Sequence, residues 1–286
     1  MFKTAAAVIL FNPDLNVIDN LKTYINQVEK LYVIDNSETY CDPVIEKIKS
    51  LNNPDYTFNK SNLGIAAALN IAANKAIKEG YEYLLTMDQD SKASPGMVSK
   101  LREIMLSAEN IGIVTADHTN PELHESSIEK RTEEILYTMT NGNLLNLKAY
   151  QATGDFLEPL FIDHVDHEYC LRLNKNNFKV IKTNQAIVYH KLGSEKRKKL
   201  FSINFYPTYH APVRLYYRTR NRFYIDRMYK KTFPHYVRED RKHFFRELID
   251  MIICEKELSK KISMIIRGYL DYRKNILGKF QNPDGK

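Results

Sequence analysis

Apolar residues in the first hundred positions fall into short blocks whose internal spacing switches between two periods. Ala5 to Phe11 is a continuous apolar run ended by Asn12-Pro13, which predicts a buried strand. Ile18, Leu21, Ile25 and Val28 recur three or four residues apart, the spacing of a helix face. Leu31 to Ile34 predicts a second strand, closed by Asp35-Asn36-Ser37. Asp42-Pro43 is expected to cap and start a short helix with Val44, Ile45 and Ile48 on one side. Tyr56-Thr57-Phe58 predicts a third strand, Gly64 to Lys78 an alanine-rich helix, and Tyr83 to Met87 a fourth strand. Ser94-Pro95 is read as cap and first-turn proline of a helix through Met97 to Leu106, and Ile111 to Val114 as a fifth strand.

Strands alternating with helices predict an α/β fold built on a mostly parallel, doubly wound sheet flanked by helices. In such sheets ligands bind beyond the carboxyl ends of the strands. The polar residues fall at those ends: Asn12, Asp35-Asn36, Asn59-Lys60 and Asp88-Gln89-Asp90. Residues 117–137 read as a polar connection. A helix is expected from about Asp166, and Val180-Ile181 and Ile187-Val188-Tyr189 read as two short strands. Beyond Lys191 the chain turns aromatic and basic, with helical spacing from about Arg214. The expected division is a ligand-binding and catalytic domain over residues 1–200 and a basic, mainly helical extension over 201–286.

Charge reinforces that division. The net charge of +7 is the sum of unlike parts: residues 1–190 carry 18 Lys and Arg against 25 Asp and Glu, and residues 191–286 carry 24 against 10. An acidic body with a basic tail points to contact between the tail and something anionic, such as a membrane surface, a lipid diphosphate or nucleic acid. No nucleic-acid recognition motif accompanies the basic residues. No apolar run reaches the roughly 18 residues needed to span a bilayer. The opening residues fit a strand-to-loop transition better than a leader, and three scattered cysteines fit a reducing, cytoplasmic setting. Ile252, Ile253, Leu258, Ile262, Ile265 and Ile266 form an amphipathic pattern beside lysines. It would serve a peripheral membrane contact, a bundle or a homo-oligomer equally well.

Asp88 and Asp90, two apart just past a strand, present two carboxylates to one side. They suit Mg²⁺ or Mn²⁺ bridging phosphates, though the same pair would also serve as an acidic turn. Leu84-Leu85-Thr86-Met87-Asp88-Gln89-Asp90-Ser91 resembles the Asp-x-Asp segment of family-2 glycosyltransferases, most closely the bacterial rhamnosyltransferase branch. Val8 to Pro13, Val33 to Ser37, Asn62 to Asn70 and Phe161 to Arg172 are similar to further segments of that family, in its order.

The resemblance implies a GT-A-type fold and inverting transfer from a nucleotide-sugar donor. Asn12, Asp35, Asn62, Gly64 and Asp88 would lie on the donor side, with Asp35 at the base or ribose. Asp88, Asp90 and His190 would hold the divalent metal. Asp166 would be the general base, with Asp163 as competitor, since Val165 stands where the family often has glutamate. Asn141, Gly142 and Asp163 would face the acceptor. So would Arg220 and Asn221, part of a Tyr216-Tyr217-x-x-Arg220-Asn221 element similar to one in the rhamnosyltransferase branch. The implied reaction moves a sugar, rhamnose from dTDP-rhamnose as the first choice, to a glycan or lipid-linked glycan in surface polysaccharide synthesis. A UDP-hexose donor is the alternative within the family, and a non-catalytic nucleotide-binding or membrane-associated scaffold the alternative outside it.

Without the resemblance, plainer roles remain open. Asn62 would cap the helix that follows, Asp163 or Asp166 would favour a helix N-terminus, and the basic tail would be a solvated helix.

Overall fold

The computed structural model describes residues 3–52, 54–119, 129–190, 198–200 and 203–281. The first apolar run forms β1 (Thr4–Leu10), buried on both faces and followed by α1 (Asn16–Leu21). Next come β2 (Lys30–Asp35), α2 (Asp42–Lys49), β3 (Pro54–Phe58), α3 (Ile65–Lys78) and β4 (Tyr83–Asp88). β2 and β4 pair parallel with the two edges of β1, and β3 pairs parallel with β2. Near-continuous apolar runs are what such doubly covered strands require.

The chain continues through β5 (Ser91–Ala93), α4 (Met97–Met105), β6 (Ile111–Thr119), β7 (Thr132–Ile135), β8 (Asn143–Asn146) and α5 (Leu147–Thr153). α6 (Val165–Lys175) and β9 (Lys179–His190) follow. The nine-stranded sheet has the order β3-β2-β1-β4-β8-β6-β9-β5, with β7 also on β9. The expected parallel arrangement covers β3 to β4 and the β6–β9 pair; β8 enters antiparallel to both β4 and β6. Gly142 makes that entry possible. Its φ is +69°, its N–H donates to the Thr86 carbonyl at 2.8 Å, and a Cβ there would lie 2.3 Å from Val188 Cγ2.

Three local expectations shift. The two short strands read in 180–189 are one strand, β9, whose pairing with β6 jumps from Thr183 to Ile187. Asn184 and Gln185 suggest a turn but are absorbed as a bulge, with Asn184 Oδ1 accepting the Arg131 N–H. Ser94 does not cap α4. Its Oγ accepts the Ile187 N–H, and Gly96 in the left-handed region stands before the helix. Cys41 rather than Asp42 is the residue before α2, with Asp42 in its first turn.

Two units emerge: Met1–Glu158 with Val165–Lys191, and Pro159–His164 with Leu192–Lys286. The second contains the hairpin β10 (Lys198–Leu200) and β11 (Ile203–Phe205), then α7 (Pro212–Tyr229), α8 (Pro234–Cys254) and α9 (Leu258–Arg273). α7 and α9 approach closely at Gly268, where a Cβ would meet the Tyr216 carbonyl oxygen at 2.5 Å. Tyr216 in turn donates from its hydroxyl to Asp271 at 2.9 Å. No helix among the described residues is long and apolar enough to cross a membrane.

Candidate active site

The end of β4 and the short β5 carry Asp88-Gln89-Asp90-Ser91, and sheet register decides what meets them. β5 pairs antiparallel with the end of β9, setting Ser91 opposite His190. The His190 Nδ1 is 2.9 Å from Ser91 Oγ and 3.3 Å from Asp90 Oδ1. Hydrogen bonding to Asp90 raises the His190 pKa above the ordinary imidazole value, and the same contact lowers that of Asp90. The Asp88 charge pushes His190 in the same direction.

Asn141 lies beneath this pair, almost wholly buried. Its Oδ1 accepts the Asp88 N–H at 3.1 Å, and its Nδ2 donates to Ser91 Oγ at 2.8 Å. His118 Nε2 lies 2.8 Å from the Asn141 carbonyl, which can only accept from it, and burial lowers the His118 pKa. Asn141 and Gly142, expected at the acceptor, therefore act from inside the sheet. One ties the Asp-x-Asp backbone to His190's partner; the other admits the Val188 side chain two residues before His190. Sequence reasoning missed Ser91 and His118, which join this network only through pairing distant in the chain.

Gln89, between the two aspartates, binds back to the end of β1. It accepts the Phe11 N–H at 2.9 Å, and its carbonyl accepts from Asn20 at 2.8 Å. Asn12 adopts φ +47° and donates its N–H to Ser37 Oγ at 2.8 Å. These ties frame a cleft of about 470 Å³ lined by Asn12, Pro13, Asp14, Asn16, Val17, Asp19, Asn20, Gln89, Asp90, Lys92 and Tyr189. Its size is within the usual range for small-ligand sites. Amides, carboxylates, one ammonium and a tyrosine can hydrogen-bond a polar ligand there.

Asp35 is fully buried, its carboxylate accepting the Ser37 N–H at 2.8 Å and the Tyr56 hydroxyl at 2.6 Å. It orders the loop after β2 and does not line the cleft. Asn62 Oδ1 accepts the Gly64 N–H, and the carbonyl of Gly64, at φ +86°, accepts from Asn36 Nδ2. Asn70 is buried and pins the Phe156–Glu158 segment through Phe156 N–H, Phe156 O and Glu158.

Asp166 sits in the first turn of α6, half-buried, with Oδ1 accepting the His167 N–H at 2.8 Å. It borders a narrow pocket with Thr86, Thr138, Thr140 and Asn143. The neighbouring Cys170 thiol, pushed up to about 12 by burial, is inert. Glu168, fully buried, forms a two-pronged pair with Arg172, which also donates to the Thr153 and Asp155 carbonyls.

Asp163 belongs to the other unit and is engaged there. It adopts φ +62°, and Arg214 reaches its carboxylate at 3.2 Å. Arg220 and Asn221, expected to face the acceptor, are both fully buried. Asn221 Nδ2 donates to the carbonyls of Leu160, Ile162 and Asp163, while Arg220 reaches those of Pro159 and Leu160 and lies against the Tyr216 and Tyr217 rings. They fix a turn of left-handed residues (Phe161, Asp163, His164) rather than presenting donors to solvent. Lys191 to Ser194, the remainder of the His190 segment, lie outside the described residues.

Asp90, on the lining of the polar cleft, and His190, 3.3 Å from it, offer a carboxylate oxygen and a ring nitrogen, ligand types that Mg²⁺ or Mn²⁺ accepts; the Asp88 carboxylate is not gathered with them into a three-atom site.

The chain is similar to known proteins in sequence and in fold. The family described as "Glycosyl transferase family 2" matches residues 7–157, more than half of the chain. The dTDP-rhamnosyl transferase RfbF of Shigella flexneri is 27% identical over 237 residues, 77% of this chain and 78% of that protein. Among solved structures, the mannosyltransferase PcManGT from Pyrobaculum calidifontis, in complex with GDP-Man and Mn²⁺, is similar at a TM-score of 0.60. It is 10% identical, over 96% of this chain and 83% of that one. Residues 1–349 of S. aureus TarS match at a TM-score of 0.55 with 14% identity, over 100% and 95% of the two chains. A longer TarS structure is matched over 37% of its length. The structural likenesses show the GT-A fold. With Asp88-Gln89-Asp90 at the end of β4 and the family match running from β1 past α5, the chain belongs to glycosyltransferase family 2.

Proposed function

We propose that this enzyme is an inverting, metal-dependent rhamnosyltransferase that uses dTDP-rhamnose and extends a glycan or lipid-linked glycan during surface polysaccharide assembly. The observation that carries the metal-dependent part is the Asp90–His190 pair, held over the polar cleft by Ser91 and Asn141. The rhamnosyl part rests on similarity to RfbF, a dTDP-rhamnosyl transferase.

Asp88, Asp90 and His190 would hold a Mg²⁺ or Mn²⁺ ion, whose chemistry there is to offset charge building on the departing diphosphate. The amides of the cleft orient the nucleotide, and Asn12 and Gln89 set its floor. Asp35, with Asn62 and Gly64, acts on the donor through the loops it orders. Asp166 accepts the proton of the acceptor hydroxyl as that oxygen attacks the anomeric carbon. The bond from that carbon to the diphosphate oxygen breaks in the same step, the electron pair leaves with the nucleoside diphosphate, and configuration inverts. Asp163 is less suited to the role, because Arg214 already engages its carboxylate.

The test is release of nucleoside diphosphate from a panel of dTDP-, UDP- and GDP-sugars with and without Mn²⁺. Turnover of dTDP-rhamnose alone, lost on chelation, is the expected result. Preference for a UDP-hexose would replace the rhamnosyl assignment, and full turnover without a divalent ion would remove the metal.

A further inference from the structure

The outward face of α8 has an unusual composition. Phe245, Ile249, Ile252 and Ile253 follow one another at i, i+4, i+7 and i+8, and all are exposed, Phe245 at 62%. That spacing makes one stripe along a helix. The opposite face, with Val237, Asp240, Phe244, Leu248 and Met251, is the one that packs inward. α9 repeats the pattern: Ile262, Ile266, Tyr269 and Leu270 have the same spacing and are likewise exposed. Single exposed apolar residues are ordinary, but two stripes of this kind mark a contact surface.

The charges beside the α8 stripe are predominantly basic. Arg238, Lys242 and Arg246 are exposed on α8, on the same side as its stripe, and Arg241 there is paired with the buried Asp226 at 2.6 Å. Glu239, at the margin, is matched with Lys242 at 2.8 Å. On α9 the exposed Arg273 lies on the side of the stripe, while Lys260 is paired with the exposed Glu257 at 2.7 Å. The acids of these helices are turned elsewhere: Asp240 pairs with Arg222, Asp271 with Arg267 and Glu255 with Lys261. A two-fold contact with another copy of this chain would set arginine against arginine. An anionic bilayer surface offers the complementary charge and accepts the isoleucines at the boundary between headgroups and acyl chains.

We propose that the outward stripe of α8, with the basic residues beside it, forms a peripheral membrane-binding face that rests on anionic lipid headgroups. The surface is independent of which sugar the enzyme transfers, so it stands or falls separately from the donor assignment. Binding combines apolar insertion with charge attraction, so it requires anionic lipid and weakens with salt.

The test is co-sedimentation of the full chain with vesicles of phosphatidylcholine alone and of phosphatidylcholine with phosphatidylglycerol. The expected result is retention on the anionic vesicles only, reduced at high salt. Retention should fall about tenfold or more in the Ile249→Gln/Ile253→Gln variant, since each exposed isoleucine contributes substantial transfer energy, and fall also in Arg238→Ser/Lys242→Ser. Thermal melts matching the parent would show that both variants fold, and nucleotide release with a soluble acceptor should stay at the parent level. Equal retention on both vesicle types, or unchanged retention of the variants, would overturn the proposal. So would a dimer in sedimentation velocity that the isoleucine variant dissolves while vesicles retain nothing.

Discussion

The Asp-x-Asp carboxylates of the sheet unit and the buried acids of the helical unit are used in opposite ways. In the sheet unit, Asp88 and Asp90 stand at strand ends, and the Asp90 side chain is 65% exposed beside His190. In the helical unit, Asp240, Asp226, Asp271 and Glu255 are buried, and each meets its own cation: Arg222, Arg241, Arg267 and Lys261. An exposed carboxylate at a strand end, such as that of Asp90, can meet an incoming cation; one locked under a guanidinium serves the fold. Asp163 and Asp166, three residues apart, fall on opposite sides of this difference, one gripped by Arg214 and the other accepting a helix N–H. That contrast supports Asp166 as the base.

The comparison can be broken most forcefully at the strand ends. Asp88→Ala or Asp90→Ala should lower sugar transfer by about a thousandfold or more while leaving the melting temperature near that of the parent, because the loss is charge stabilisation at the leaving group. Transfer within tenfold of the parent would mean that the open carboxylates are not the metal site. Asp166→Asn should reduce kcat by about 10²- to 10⁴-fold with donor affinity retained, as expected for a lost general base. In Asp163→Asn the main change should be a lower melting temperature. Exchanged outcomes in these two variants would reassign the base.

In the helical unit the effects should appear in stability. Arg222→Ala removes the partner of Asp240, and urea unfolding should show a loss of about 3–5 kcal/mol, the usual result of stranding one member of a buried pair. A loss under 1 kcal/mol would show that these acids are not held by their cations. The smallest effect concerns His210, whose pKa burial, aided by Arg218 and Arg214, lowers to about 4. The unfolded chain binds a proton near pH 6.5 and the folded one does not, so stability should decline as pH falls from about 6.5 towards 4. His210→Gln should flatten that part of the pH–melting curve; an unchanged slope would exclude His210 as its source.

Much of the sheet unit was legible in the sequence because its signals are local. Apolar runs closed by Asn12, Asp35 or Asp88 give both the strand and the place where a ligand would meet it. What stayed hidden depends on pairing between distant segments. Nothing near Asn141 reveals that it joins Asp88 to Ser91, or that His118 lies under it, because the β4–β8–β6 arrangement creates those contacts. Gly142 and Asn221 look like loop and acceptor residues for the same reason. Their partners, Val188 and the Leu160–Asp163 carbonyls, are dozens of residues away. In β9, polar Asn184-Gln185 imitates a turn, since a bulge and a hairpin use the same residue types.

That bulge divides β9 into a tolerant and an intolerant stretch. At Asn184-Gln185 the chain has already left its pairing with β6, so an added residue there enlarges a loop and is taken up locally. Between Ile187 and His190 no slack exists. One inserted residue would turn every later side chain to the other face of the sheet, carrying the imidazole away from Asp90 and bringing Tyr189 towards its place. The strand behaves like a vernier with one free and one fixed scale, and any graft or shortening of this region should be cut at the bulge.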